Sequence, residues 1–388
     1  MTDGLPPSLG YDGDRDEVMR IVSDMKGSKG VFTCTIGNTL TSTIPGVSDA
    51  GDTPELTMYT GPADAEFLFS GKVTCMDGIP INPGGIPTPA TLTKAALNLS
   101  GMPFFIVDGG TRVKANIPMF DMGGSCGEKI TTGHAVKNAK QCFERGRMLG
   151  RYLGSLYDYV VISESCAGGT TTALAVLTAM GTVSENLVSS SSPNNPKALK
   201  SKLVSEGIAA AGKKPGDFRD DPLGAIEAVG DPMMPVNVGM LIGASENATV
   251  VVGGGTQMAA VMDVALKLEP SILGRFFQGT TRWLMKDRNS SMIKLRDAVN
   301  PRIPIIYVNM DYSGSPYEGL RAYEQGFIKE GVGCGGASVS AILSSPDSID
   351  CGKLLDEVHS VYRGIMGSRT PQICSAGSTA LMKPYGDP

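Results

Sequence analysis

The chain reads as an α/β protein: a doubly wound, mostly parallel sheet with helices on both faces, a Rossmann-like three-layer arrangement that also carries a small helical subdomain. Two observations predict this. Apolar, β-branched runs recur at Gly30–Ile36, Phe104–Val107, Tyr159–Ile162, Thr249–Val252 and Ile303–Val308, mostly with helical patterns between them. Each run also stops at a polar or glycine group (Asn38 and Thr39, Asp108 with Gly109, Glu164, Gly253, and Asn309 with Asp311). A parallel sheet gathers such groups along its carboxyl edge, where folds of this kind bind ligands.

The elements follow in chain order. Ile79–Pro89 (IPINPGGIPTP) is too rich in Pro and Gly for a helix or a central strand, and reads as a lid or substrate loop. Thr91–Leu99 then reads as a short helix. Tyr159–Gly181 (YVVISESCAGGTTTALAVLTAMG) is the most informative stretch. Its β-branched start favours a strand, Gly168 and Gly169 let backbone N–H groups approach a ligand, and Thr170 or Thr171 can cap the helix that follows. Exposed N–H groups at a positive helix end suit a phosphate, although an ordinary strand-to-helix connection looks the same. Ser189–Pro196 (SSSSPNNP) is a polar connection followed closely by Lys197, Lys200 and Lys202. Thr249–Leu268 repeats the earlier pattern: a strand, then Gly253, Gly254 and Gly255, then Thr256 as an expected N-cap. Two glycine turns feeding two helices suggest one shared anionic ligand. Lys267–Val299, with Arg275, Arg282, Trp283, Lys286 and Arg288 among apolar residues, reads as a pair of external amphipathic helices.

Composition excludes several classes. The 388 residues are 41% hydrophobic and 19% charged, enough for a large core. A net charge of −5, with no basic block alternating with aromatics, argues against a nucleic-acid partner. The apolar stretches are interrupted by Gly, Thr and Ser, which argues against membrane association, and MTDGLPPSLG lacks a signal peptide's basic and apolar regions, so a cytoplasmic location is expected. Eight scattered cysteines form no C-x-x-C pair and are expected to be reduced. With only His134 and His359 available, a multi-histidine metal centre is excluded and a general base is expected to be a carboxylate; neither a metal nor a cofactor is expected.

Three chemistries have partial motifs in the chain. A dinucleotide fingerprint fits poorly, because Gly253, Gly254 and Gly255 lack the third glycine at its usual spacing and Asp263 comes too early. Gly123-Gly124-Ser125-Cys126-Gly127 matches the G-x-S-x-G of a nucleophile elbow, but NIPMFDM before it is no apolar strand. Glu330, in FIKEGVGCGGASVSAIL, is the better candidate. Glycines on either side admit a flat ring, and partial desolvation would raise the carboxylate to a useful base strength. An exposed glutamate favoured by a helix N-terminus is the alternative.

From Asp64 to Leu343 these segments, in their order, resemble the nicotinate-nucleotide:dimethylbenzimidazole phosphoribosyltransferases, and in particular a branch of that family's relatives. ESCAGGTT at Glu164–Thr171 is similar to the family's E-x-G-x-G-N-T-T loop, with Cys166 and Gly169 replacing a glycine and an asparagine. DPLGAIEAVG (Asp221–Gly230), VVGGGTQMAAV (Val251–Val261), FIVDGG (Phe105–Gly110) and EGVG (Glu330–Gly333) resemble D-P-L-x-x-x-x-x-V-G, the D-G-F-I-x-T-A-A segment, V-V-D-x-G and E-G-T-G. Asp77-Gly78-Ile79 and Gly85-Ile86-Pro87-Thr88-Pro89 stand where the family has D-H-G-V and G-V-S-x-Y-P-x-x-V-T-x-Q, and Asp231-Pro232-Met233 stands where it has Gly-Leu-Glu.

The resemblance implies attack of a heteroaromatic base on C1′ of nicotinate mononucleotide, inverting that carbon to give an α-ribotide for a cobamide lower ligand and releasing nicotinate. It implies Glu330 as general base. Phosphate and ribose would be held by Glu164, Gly168, Gly169, Thr170, Thr171, Ser190, Ser191, Lys200, Gly254 and Gly255, with Pro87 and Thr88 in the base pocket and a homodimeric assembly. The implied organisation is an unassigned segment over residues 1–52, a nucleotide-binding catalytic domain over 53–345, and a C-terminal helix and tail over 346–388. A non-catalytic nucleotide-binding or regulatory protein on the same scaffold is the alternative, motivated by the altered base pocket.

Overall fold

The computed structural model describes residues 4–367 apart from 52, 79, 80, 83, 84 and 184. Parts of the Ile79–Pro89 loop, and residues 368–388 (with Cys374) of the C-terminal helix and tail expected over 346–388, therefore lie outside the described residues. Among the described residues there are ten strands: β1 (Leu9–Asp12), β2 (Gly30–Gly37), β3 (Ile81–Asn82), β4 (Ile86–Pro87), β5 (Phe104–Gly110), β6 (Phe120–Asp121), β7 (Tyr159–Ser165), β8 (Thr249–Gly253), β9 (Phe276–Thr281) and β10 (Ile305–Val308). Eight of them make one sheet in the order β1-β10-β9-β8-β7-β2-β5-β6, and β3 with β4 forms a small hairpin. Every pairing in the large sheet is parallel except that of the edge strand β1 with β10.

The strand sequences explain the layers. In β7 and β8, Val160, Ile162, Val250 and Val252 enter one apolar core, whereas Tyr159, Val161 and Val251 enter the other. Period-two alternation thus supplies apolar groups to both faces, so both must be covered by helices. One face carries helices Ala139–Gly154, Gly169–Ala179, Lys197–Ala210, Pro222–Val229, Met233–Ser245 and Met258–Leu268. The other carries Arg15–Met25, Thr60–Ser70, Ala90–Ser100, Cys334–Ser344 and Cys351–Gly367. Helices Lys197–Ala210 and Pro222–Val229 are the helical addition; Leu203, Val204, Ala225 and Ile226 join the same core as the sheet.

Two expectations change. Lys267–Val299 is not a pair of external helices. It contains β9, a central strand buried along its whole length, and Trp283 beside it is buried as well. The segment over residues 1–52, otherwise without assignment, provides the edge strand β1 in addition to the expected strand at Gly30–Ile36, which is the central strand β2 pairing with β5 and β7. The seven cysteines among the described residues are free.

Candidate functional site

A cavity of about 590 Å³ opens at the carboxyl edge of the sheet. Its wall is built from the segments that follow β2 (Val47–Gly51), β7 (Glu164–Thr170), β8 (Gly255–Gln257) and β9 (Leu284), closed by Ser189–Ser191, by Phe327, Ile328, Glu330 and Val332, and by the helix carrying Asp64.

The two glycine turns meet here. Gly168 adopts φ +80° and is itself the N-cap of helix Gly169–Ala179, so neither Thr170 nor Thr171 caps it. A Cβ on Gly169 would lie 2.7 Å from Oε1 of Gln257, so the amide of Gln257 rests flat on the glycine. Gln257 is only 8% exposed, yet its Nε2 has no hydrogen-bond partner among the described residues. Thr256 was expected to cap the second helix; that helix begins at Met258, and the Thr256 hydroxyl instead accepts the backbone N–H of Ser189 at 2.9 Å. The fully buried ammonium of Lys200 donates to Thr170 Oγ1 (3.0 Å) and to the Ser189 carbonyl (2.6 Å). Burial, reinforced by the nearby Lys329, pulls Lys200 down to about 7. Gly168–Thr170, Ser189–Ser191 and Thr256–Gln257 thus form one polar end of the cavity.

At the other end Asp64 accepts hydrogen bonds from Thr88 Oγ1 (2.6 Å) and Ser165 Oγ (2.8 Å). Around it the wall is apolar, with Ala63, Met76, Ile86, Pro89 and Val332.

Glu330 joins the two ends. Its Cγ lies 3.4 Å from where a Cβ of Gly255 would be, and the glycine after it, Gly331, leaves only 2.7 Å between its own would-be Cβ and Pro89. The loop is strained: Ile328 (φ +63°), Lys329 (+65°) and Val332 (+52°) occupy the left-handed region, unfavourable for β-branched residues, alongside Gly331 (+154°) and Gly333 (+59°). Surrounding contacts hold it there. The Ile328 N–H donates to the Ser191 carbonyl at 2.7 Å, and the buried Lys329 ammonium donates to the carbonyls of Gly326 (2.8 Å) and Ser192 (3.3 Å). One carboxyl oxygen of Glu330 accepts from the N–H groups of Gly331 and Gly335 and from the Cys334 thiol, at 3.2–3.3 Å, and the other from the Thr280 hydroxyl at 3.3 Å. Helix Cys334–Ser344 can come this close because Gly336 lies directly against Gly253 and Gly279 of the sheet.

Loss of water outweighs these hydrogen bonds and pushes Glu330 up to about 7. Burial likewise raises Asp64 and Asp231 to about 6, and raises Glu164 well above its ordinary value with help from the charge of Asp231. Glu164 lines the cavity and accepts the Cys166 N–H at 2.8 Å; Asp231 stands behind the wall, bonded to Thr172 Oγ1 (2.6 Å) and the Met233 N–H (3.1 Å). Among the described residues, no group of three His, Cys, Asp or Glu side chains is arranged to hold a metal ion.

Of the sequence-predicted residues, Glu330, Glu164, Gly168, Gly169, Thr170, Ser190, Ser191, Gly255 and Thr88 line the cavity. Lys200 stands one layer behind. Thr171 is buried inside its helix, away from the wall. Gly254 does not line it and instead offers its carbonyl to Gln278 Nε2 at 3.2 Å. Pro87 is likewise outside it, with its carbonyl accepting the Tyr323 hydroxyl at 2.8 Å; Pro89 takes its place on the wall. Ser125 of the G-x-S-x-G stretch is exposed and outside the cavity. Sequence reasoning missed Asp64 and Gln257, since a lone aspartate and glutamine in helical context carry no motif.

Comparison with known proteins identifies the relatives. A protein of Thermococcus onnurineus described as a UPF0284 protein is 42% identical over 339 residues, covering 87% of this chain and 98% of its own. A second from Sulfurisphaera tokodaii is 38% identical, covering 88% and 95%. The chain belongs to the UPF0284 family. A phosphoribosyltransferase family model matches residues 97–282 of this UPF0284 protein. The fold is that of a solved nicotinate-nucleotide–dimethylbenzimidazole phosphoribosyltransferase from Thermus thermophilus, with a TM-score of 0.55 and 14% identity over 90% of this chain and 88% of that one. The resemblance that the motifs carry is thus matched by the family model over residues 97–282 and by the fold. No helix among the described residues is long and apolar enough to cross a membrane.

Proposed function

We propose that this protein moves the 5-phosphoribosyl group of nicotinate mononucleotide to a benzimidazole-like or related base, giving an α-ribotide and nicotinate. The observation that carries the reading is Glu330, a carboxyl raised to about 7 and aimed from a strained loop into a cavity with one anion-binding end and one apolar end.

The phosphate sits at the N-terminus of helix Gly169–Ala179, facing Ser190 and Ser191, with Lys200 behind Thr170 and the unpartnered Gln257 amide alongside. An arriving phosphate dianion stabilises the charged form of Lys200, so binding takes up a proton there. The ribose lies between Glu164 and Gly255. The pyridinium of the donor brings positive charge beside Glu164 and Glu330, with Asp231 behind them, none of which has a paired cation among the described residues. In the transfer, the ring nitrogen of the acceptor attacks C1′ from the face opposite the pyridinium. The new C1′–N bond forms as the bond to nicotinate breaks with its electron pair, and Glu330 takes the proton from the acceptor's ring N–H. A base near 7 is matched to that task at neutral pH.

The test is to incubate the purified protein with nicotinate mononucleotide and a panel of benzimidazoles, purines and phenols, following free nicotinate and new ribotides by mass spectrometry, with Glu330→Gln alongside. Base-dependent nicotinate release, lowered roughly a hundredfold or more in the variant, is expected for a positioned general base. Nucleotide that binds without being consumed across the panel would instead support a nucleotide-binding or regulatory role.

A further inference from the structure

The transfer chemistry leaves Asp64 unused. It is 5% exposed, it faces the cavity, and its partners are the Thr88 and Ser165 hydroxyls; no cation pairs with it among the described residues. Burying a carboxyl without a counter-charge is costly, and a leucine or methionine would complete the apolar wall more cheaply. Two hydroxyl donors fix the orientation of the carboxyl while leaving each oxygen with capacity to accept another hydrogen bond.

Its place relative to Glu330 follows from contacts. Gly331 abuts Pro89, Thr88 precedes that proline and bonds Asp64, and the Thr93 hydroxyl donates to the Val332 carbonyl at 2.9 Å, locking the Glu330 loop onto the same helix start. Ala63, Met76, Ile86 and Val332 line the same cavity as Glu330 and Asp64, so a flat ring with its N–H at Glu330 can present its remote edge to Asp64.

We infer that Asp64 is a specificity-determining residue that selects an acceptor base bearing a hydrogen-bond donor, an amino or hydroxyl group, on the edge remote from the reacting nitrogen. This inference rests on the transferase reading of the cavity. A methylated or unsubstituted edge leaves the carboxylate desolvated without a partner; an N–H or O–H donor replaces the water it has lost.

The experiment compares benzimidazole, 5,6-dimethylbenzimidazole, 5-hydroxybenzimidazole and 5-aminobenzimidazole. Each is measured by kcat/KM with nicotinate mononucleotide, and separately by equilibrium binding to the full chain loaded with that nucleotide. The wild type is expected to favour the hydroxyl and amino bases over the dimethyl base by about 10- to 100-fold, the range of a hydrogen bond to a charged group. In Asp64→Leu that ratio should fall to about one or invert. The ratio is taken within one protein preparation, so a partly folded variant does not distort it, and Thr88→Val, which removes one of the two hydroxyls that orient the carboxyl, supplies a second, milder perturbation expected to shrink it. Equal use of all four bases by the wild type, or a preference unaltered in Asp64→Leu, overturns the inference. If no base releases nicotinate, the transferase reading fails, while the binding preference still decides the role of Asp64.

Discussion

The ligand-free protein should be least stable near pH 7, where most proteins have a broad maximum. Asp64 and Asp231 rise from 3.8 to about 6 because burial strips water from their charged forms. A group that holds its proton more tightly folded than unfolded contributes stability below its unfolded value and loses it as the pH rises through about 6. Two pH units correspond to roughly 3 kcal/mol for each carboxyl. Glu164 and Glu330 act in the same direction. Lys200 is the reverse: lowered from 10.5 to about 7, it contributes stability above its unfolded value and loses it as the pH falls through about 7, on the order of 5 kcal/mol over the whole interval. The lowered His359 opposes the carboxyls, but it is only part-buried and its effect is smaller. Carboxyls held below their ordinary values, such as Glu66 and Asp287, titrate mostly on the acid side of this window. Burial raises the thiols of Cys34, Cys166 and Cys334 among others, so their contribution to stability is lost as the pH climbs toward 9, and urea unfolding followed by circular dichroism at fixed ionic strength, from pH 5 to 8, reads the effect as the midpoint concentration. The midpoint should pass through a minimum near pH 7. Asp64→Asn should flatten the acidic arm and Lys200→Met the basic arm. A dome with its maximum at pH 7, or an acidic arm unaltered in Asp64→Asn, would refute the claim that these groups are desolvated and uncompensated.

Three further outcomes are expected. kcat/KM should rise with pH through about 7 as Glu330 loses its proton, and that limb should vanish from the residual activity of Glu330→Gln; a profile flat between pH 6 and 8 would exclude Glu330 as the base. Gln257→Leu should weaken nicotinate mononucleotide binding by roughly tenfold or more, measured calorimetrically, because the amide has no partner but the ligand; unchanged affinity would mean that the ligand does not reach it. Gly336→Ala, whose added carbon would fall 2.4 Å from Gly253 Cα, should cost about 1–3 kcal/mol in denaturant unfolding and lower turnover by shifting the helix that positions Glu330.

Much of this protein was legible before any coordinates. β-branched runs ending in polar or glycine residues determined the parallel sheet, because only a strand buried on both faces is apolar at consecutive positions. The two glycine turns likewise marked segments that line the cavity, since close backbone approach needs residues without side chains. β9 stayed hidden because Phe276–Thr281 carries Gln278, Gly279 and two threonines between flanking arginines; its burial comes from neighbours far away in sequence, and Gln278 is there to hold the Gly254 and Gly255 carbonyls. The threonines taken as helix caps went elsewhere, because Gly168 supplied the positive φ at one turn and the Ser189 N–H claimed Thr256 at the other. Asp64 and Gln257 carry no local pattern at all. Whether a lone polar side chain faces a cavity, and whether anything answers it there, depends on which distant segments pack around it, and only the tertiary structure decided that.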